Sequence, residues 1–166
     1  MTIDTLFGPE TITPKPRTIK LKTIKAIYQT ITVNDTITDY LKPNTRYISA
    51  SQVYDTFSFL RHETKEHFIA LHLDGKNRIL CCDMVSTGSL NQSIVHPREL
   101  FKTALLSSAA AVILLHNHPT GDPTPSTEDL TITRRLQEAG DMIGVRVLDH
   151  IVIGDSYYSF AERGHI

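Results

Sequence analysis

A chain of 166 residues, 40% hydrophobic and 21% charged, has the size of one domain that buries roughly two-thirds of its unfolded surface. Its formal net charge of −1 excludes a strong overall field for nucleic acid but leaves local patches open. The only cysteines, Cys81 and Cys82, point to opposite faces of a strand and form neither a disulfide framework nor a shared metal site; no apolar run nears the ~20 residues of a membrane helix and no signal-peptide pattern is present, so the expected setting is cytoplasmic.

In chain order, the sequence divides near residue 45. Residues 1–45 read as an N-terminal extension. Pro9, Pro14 and Pro16 mark residues 1–17 as a loose arm. Thr18 to Val33 alternates in places, as in Ile19-Lys20-Leu21-Lys22, and reads as one or two strands. Lys15, Arg17, Lys20, Lys22 and Lys25 cluster there. Lysines that protect an edge strand are the preferred reading, ahead of a nucleic-acid contact. The same basic strands offer an edge for pairing in a homo-oligomer.

Residues 46–166 alternate between helix and strand. Ser49 starts a helix to Leu60, with apolar positions at Val53, Phe57 and Leu60. Phe68 to Leu73 and Arg78 to Val85 are strands joined by the turn Asp74-Gly75-Lys76-Asn77. Ser93 to Val95 adds a short strand. Pro97 suits the first turn of a helix over Arg98 to Ala109. The run Ala109 to Leu115 has no breaker and reads as a buried strand. A loop carries Pro119, Gly121, Pro123 and Pro125. A helix follows from Thr127 to about Met142, then a strand from Val145 to Ile153 and a short one from Tyr157 to Phe160. Helices on both sides of a mixed sheet give an α/β three-layer arrangement.

The chemistry concentrates where the buried strand ends. Residues i and i+2 of a strand share a face, so His116 and His118 project together and Asn117 turns away. Ser126 is a favoured N-cap, and Asp129 three residues on resembles a capping box and suits the positive end of the helix dipole. Capping accounts for Ser126 and Asp129 taken alone. It does not account for two same-face histidines just upstream. With Asp129 they close three sides of a divalent-metal site and leave the fourth open, the ligand pattern of a catalytic zinc. Two histidines and one carboxylate also hold ferrous iron in oxygen-using enzymes.

The spacing His116-x-His118, seven residues, Ser126, two residues, Asp129 resembles the JAMM signature of the MPN/JAB metalloprotease fold. The segments Phe68 to Asp74, Val95 to Leu100, Leu114 to Asp129 and Val145 to Gly154 are similar to the bacterial RadC-like branch, and the resemblance runs from about Ile48 to the C-terminus. It implies a three-layer, cytidine-deaminase-like mixed sheet flanked by helices. It implies Zn²⁺ on His116, His118 and Asp129. It implies a glutamate general base from another strand, at the position matched here by Glu66. Ser126 then donates to the oxyanion. The implied reaction is hydrolysis of an amide or isopeptide bond in a peptide or protein substrate.

RadC-like proteins are linked by name to DNA repair and often carry a helix-hairpin-helix module before this domain. The hairpin glycines of that module are missing here, since Gly8 is the only glycine before Gly75. No nucleic-acid partner is supported. Two other function classes stay open: a ferrous-iron enzyme, in which Glu66 and Ser126 have no evident task, and a non-catalytic interaction module that kept the fold. His150, beside Asp149, reads first as a packed, hydrogen-bonded histidine and second as an outer partner of a metal ligand. His72 shares a strand face with Glu66, and the preferred reading keeps it away from the site.

Overall fold

The computed structural model describes residues 23–29, 46–47, 49–88 and 95–166. Ser49 is extended and its side chain accepts from the Gln52 amide, which starts helix α1, Ala50–Phe57. Ala50, Val53 and Phe57 form its buried stripe, and the chain then tightens into a 3-10 turn, Ser58–His62. Strand β1, Glu66–Leu73, begins two residues before the expected Phe68. Strand β2, Ile79–Gly88, continues past the expected Val85.

The β1–β2 turn is built by Asp74. Its Oδ1 accepts from the amides of Lys76 (2.8 Å) and Arg78 (2.9 Å), and Oδ2 accepts from Arg78 Nε at 2.6 Å. Asn77 takes the left-handed conformation the turn needs, at φ 59°.

Helix α2, Pro97–Leu106, stops before the expected Ala109 because Ser108 adopts φ 57° and turns the chain into strand β3, Ala111–Asn117. Helix α3, Thr127–Ile143, ends at Gly144, whose φ of 76° suits a residue without Cβ. Strands β4, Arg146–Ile153, and β5, Tyr157–Ser159, complete the sheet.

The expected strand at Ser93–Val95 is not supported. Val95 lies outside any strand, and Ser93 and Ile94 fall outside the described residues. The boundary near residue 45, the arm over 1–17 and most of Thr18–Val33 also fall outside them. Residues 23–29 are exposed and form no strand, so the expected strand reading does not hold for that stretch. There the segment is tied by a side chain instead of a ladder: the Tyr28 hydroxyl donates to the Ser107 carbonyl at 3.0 Å.

The sheet order is β2-β1-β3-β4-β5. β1 is antiparallel to β2 and β3, β3 and β4 are parallel, and β5 returns antiparallel. Alternation along the strands splits the core in two. Ile69, Leu71, Leu73, Ile113, Leu115, Ile151 and Ile153 pack with α1. Phe68, Ala70, Val112 and Leu114 pack with Leu100, Phe101 and Ala104 of α2 and Leu136 of α3. The result is three layers, helix–sheet–helix. β3 is covered on both faces and every residue of it is buried, which explains its unbroken apolar run. Among the described residues no helix is long and apolar enough to cross a membrane.

Candidate metal centre

The register of β3 aims the site. Its C-terminal end pairs with β1 through Phe68 opposite His116 and with β4 through Asn117 opposite Ile153. One residue beyond the strand, the His118 amide still donates to the Ile153 carbonyl at 2.8 Å. His116 therefore lies on the α2/α3 face, and His118 follows it two residues on.

The loop that follows folds back tightly. Gly121 has φ 84°, and its carbonyl accepts from Asp155 N at 2.7 Å. A Cβ on Gly154 would collide with that same carbonyl, so the two loops meet only because both positions are glycine. The fold-back returns the chain to Ser126 above the strand end. Ser126 Oγ accepts from the Asp129 amide at 3.1 Å, and Asp129 Oδ2 accepts from Ser126 N and Oγ, both at 2.7 Å. This reciprocal cap starts α3 and holds the Asp129 carboxylate toward the histidines.

His116, His118 and Asp129 form a cluster able to hold a metal ion, with one ligand atom of each lying within 4.8 Å of the others. His116 Nε2 is 3.2 Å from Asp129 Oδ1, and His118 Nε2 is 3.4 Å from Oδ2. The two Nε2 atoms are 3.0 Å apart. Each imidazole uses its Nδ1 elsewhere: His116 on His150 Nε2 and His118 on the Asp122 carbonyl, both at 2.8 Å. Two imidazole nitrogens and a carboxylate converging with their rings held from behind is the donor chemistry that fits a divalent transition metal.

The electrostatics agree. Burial raises the Asp129 carboxyl, but hydrogen bonds from His116 and His118 outweigh it and hold it far below the usual carboxylate range. Burial lowers His118; its bonds to Asp129 and Asp122 and the charges of Asp129 and Glu66 raise it above the usual imidazole value. Burial pushes His150 well below that value.

Glu66 opens β1 on the same face. Continuing the register of Phe68 opposite His116 by two more pairs puts Glu66 across from His118. Asn117, turned to the other face as expected, has a task that sequence reasoning missed. It is fully buried; its Oδ1 accepts from His67 N at 2.8 Å and its Nδ2 donates to the Lys65 carbonyl at 3.0 Å. It thereby grips the backbone on both sides of Glu66.

His150 is both packed and a partner of His116, so the two readings of it coincide. It is completely buried between the rings of Phe68 and Phe160. Thr133, which carried no signal in the sequence beyond its place one turn after Asp129, lies 2.6 Å from His150 Nδ1 through Oγ1. His72 is away from the site. It pairs with Val112, toward the far end of β1, and its Nδ1 is 2.8 Å from Ser107 Oγ.

A profile of the RadC-like JAB domain matches residues 47–165. The chain belongs to the RadC-like JAB family. Its mixed five-stranded sheet with helices on both faces agrees with the JAB/MPN fold. This RadC-like JAB chain is 63% identical over 121 residues to a UPF0758 protein of Geotalea uraniireducens, covering 72% of the chain and 53% of that relative. It is likewise 63% identical over 121 residues to UPF0758 protein GSU0386 of Geobacter sulfurreducens, with the same coverage of 72% and 53%. With a UPF0758 protein of Methanococcoides burtonii the identity is 47% over 150 residues, 89% of the chain and 64% of the relative. The chain thus spans about half the length of the first two relatives, whose names state no activity.

Proposed function

We propose that the protein is a zinc-dependent metallopeptidase of the JAMM type that hydrolyses amide or isopeptide bonds in a peptide or protein substrate. The supporting observation is the convergence of His116 Nε2, His118 Nε2 and the Asp129 carboxylate, with Glu66 across from His118 in the extended β1–β3 register. His116, His118 and Asp129 would hold Zn²⁺ and leave a fourth position open. Bound there, zinc supplies a Lewis acid that brings the pKa of water from about 15.7 toward about 7. The Glu66 carboxylate takes the proton of the attacking water and returns it to the leaving amine. The Ser126 hydroxyl, which donates to Asp129 Oδ2, rotates about Cβ–Oγ to donate to the oxyanion of the tetrahedral intermediate. One such donor contributes on the order of 3 kcal/mol to transition-state stabilisation. A cytoplasmic setting accompanies this reading, in keeping with two thiols, Cys81 and Cys82, that cannot pair with each other.

The test is a peptide and isopeptide cleavage screen with zinc-loaded protein, run beside Glu66→Ala. Cleavage by the wild type, with the variant binding zinc but inactive, is the expected result. Equal cleavage by both removes Glu66 from the mechanism. Protein purified without added metal that carries stoichiometric iron and negligible zinc overturns the zinc assignment.

A further inference from the structure

We propose that Thr133 and His150 are positioning residues that keep a ring proton of His116 on Nδ1, so that Nε2 is the nitrogen it offers to the metal. The inference rests on the metal-site reading above and follows from counting hydrogens. Thr133 Oγ1 is 2.6 Å from the Asp129 carbonyl oxygen. A carbonyl only accepts, so at that separation the single hydroxyl hydrogen lies between the two oxygens. Thr133 Oγ1 is also 2.6 Å from His150 Nδ1. Its hydrogen is already spent, so His150 Nδ1 carries the proton and donates.

The second nitrogen of His150 then depends on its charge. The ring is completely buried, with centroids 5.3 Å from Phe68 and 4.9 Å from Phe160, and its nitrogens are taken up by a hydroxyl and another imidazole. A cation there has no hydrogen-bonded carboxylate to offset its desolvation. Neutral His150 with its proton on Nδ1 presents a lone pair at Nε2. His116 Nδ1, 2.8 Å away, must be the donor, so Nε2, turned to Asp129, is the nitrogen left to bind a metal; without one it is placed to hold a proton and donate to that carboxylate.

His118 is held in one step, because its Nδ1 faces the Asp122 carbonyl at 2.8 Å. His116 has no carbonyl behind it and uses a relay of two side chains. The relay begins on α3 one turn from Asp129, so the helix that supplies the carboxylate also sets the imidazole beside it. Outer hydrogen-bond partners of this kind typically change metal affinity by roughly 10–100-fold when removed.

The experiment combines ¹⁵N NMR of the histidine rings with zinc titration of wild type, Thr133→Val and Thr133→Ser. In metal-free wild type at neutral to mildly alkaline pH, and again with zinc bound, His150 should carry its only ring proton on Nδ1 and His116 should be protonated at Nδ1, with Nε2 of His116 free of a proton once zinc is bound. Thr133→Val keeps the branched shape and removes the acceptor; its zinc Kd should rise about 10–100-fold, while Thr133→Ser should restore the wild-type value. A wild-type His150 protonated on Nε2 overturns the proposal whatever the variants do. So does a Thr133→Val protein with a native amide spectrum and an unchanged Kd. If the wild type binds no zinc, the metal-site reading fails instead, and the metal-free tautomers still decide the relay.

Discussion

Replacing Asn117 with alanine tests whether a residue between two ligands works on a third residue across the sheet. Asn117 is fully buried, and its amide joins β3 to β1 through His67 N at 2.8 Å and the Lys65 carbonyl at 3.0 Å. A made hydrogen bond contributes about 0.5–1.5 kcal/mol net, whereas a partner left unmet costs about 1–3 kcal/mol. Two partners are stranded here. Lys65 is exposed and His67 only half-buried, so water recovers part of the loss, and the expected destabilisation is about 2–4 kcal/mol. In urea unfolding this appears as a lower midpoint with an unchanged slope. The Asn117 amide bonds the β1 backbone and not His116, His118 or Asp129, so zinc affinity should hold at the wild-type value. Hydrolysis should not: freeing the backbone around Glu66 by about 1 Å costs on the order of 100-fold. A stability change of Asn117→Ala below about 0.5 kcal/mol, the range of an ordinary surface substitution, refutes the bracing role.

Three further outcomes are expected. Zinc at about 100 times its Kd should stabilise the wild type by about 2.7 kcal/mol in thermal unfolding, and His118→Ala should lose both the bound metal and the shift; stoichiometric zinc retained by that variant refutes its ligand role. Ser126→Ala removes the cap of α3 and should lower stability by about 1 kcal/mol while slowing hydrolysis by the larger factor that about 3 kcal/mol implies; equal losses in the two measurements would reduce Ser126 to a cap. Gly121→Ala forces a φ of 84° on a residue with a Cβ and sets that Cβ 3.0 Å from Asp155 Oδ2, so it should destabilise by more than about 1 kcal/mol; a neutral result by chemical denaturation would mean that the loop relaxes.

The features legible in the sequence were those whose cause is local. β3 showed itself because burial on both faces removes polar residues from it, and the start of α3 because Ser126 and Asp129 mark it through contacts within a few residues. His116, His118 and Asp129 were readable for the same reason, since strand alternation and a helix start fix their directions. The misplaced ends have causes elsewhere in the chain. Nothing near Glu66 and His67 says that they extend β1; they pair with Gly88 and Thr87 and are gripped by Asn117. Ser107 and Ser108 do not differ from helix residues in type, and α2 ends there because the chain turns.

The same distinction separates the parts of the site. Glu66 was reachable only through the family resemblance, and Thr133 by nothing in the sequence, because Glu66 is placed by strand pairing and Thr133 by the packing of α3 on β4, not by neighbours along the chain. A one-residue slip of β1 against β3 would turn Glu66 to the α1 face and leave His116, His118 and Asp129 where they are. A cluster of His116, His118 and Asp129 is therefore cheap for a sequence to encode, while the placing of Glu66, the base of the proposed reaction, depends on strand pairing. Asn117 links the two, since the residue that bonds His67 N and the Lys65 carbonyl sits between His116 and His118. Exchange of the His67 amide reports on that lock directly: it should be strongly protected in the wild type and exchange far faster in Asn117→Ala, with the amides at the centre of β3 unchanged. Equal protection of His67 in both proteins would show that the β1–β2 ladder alone holds Glu66 in place.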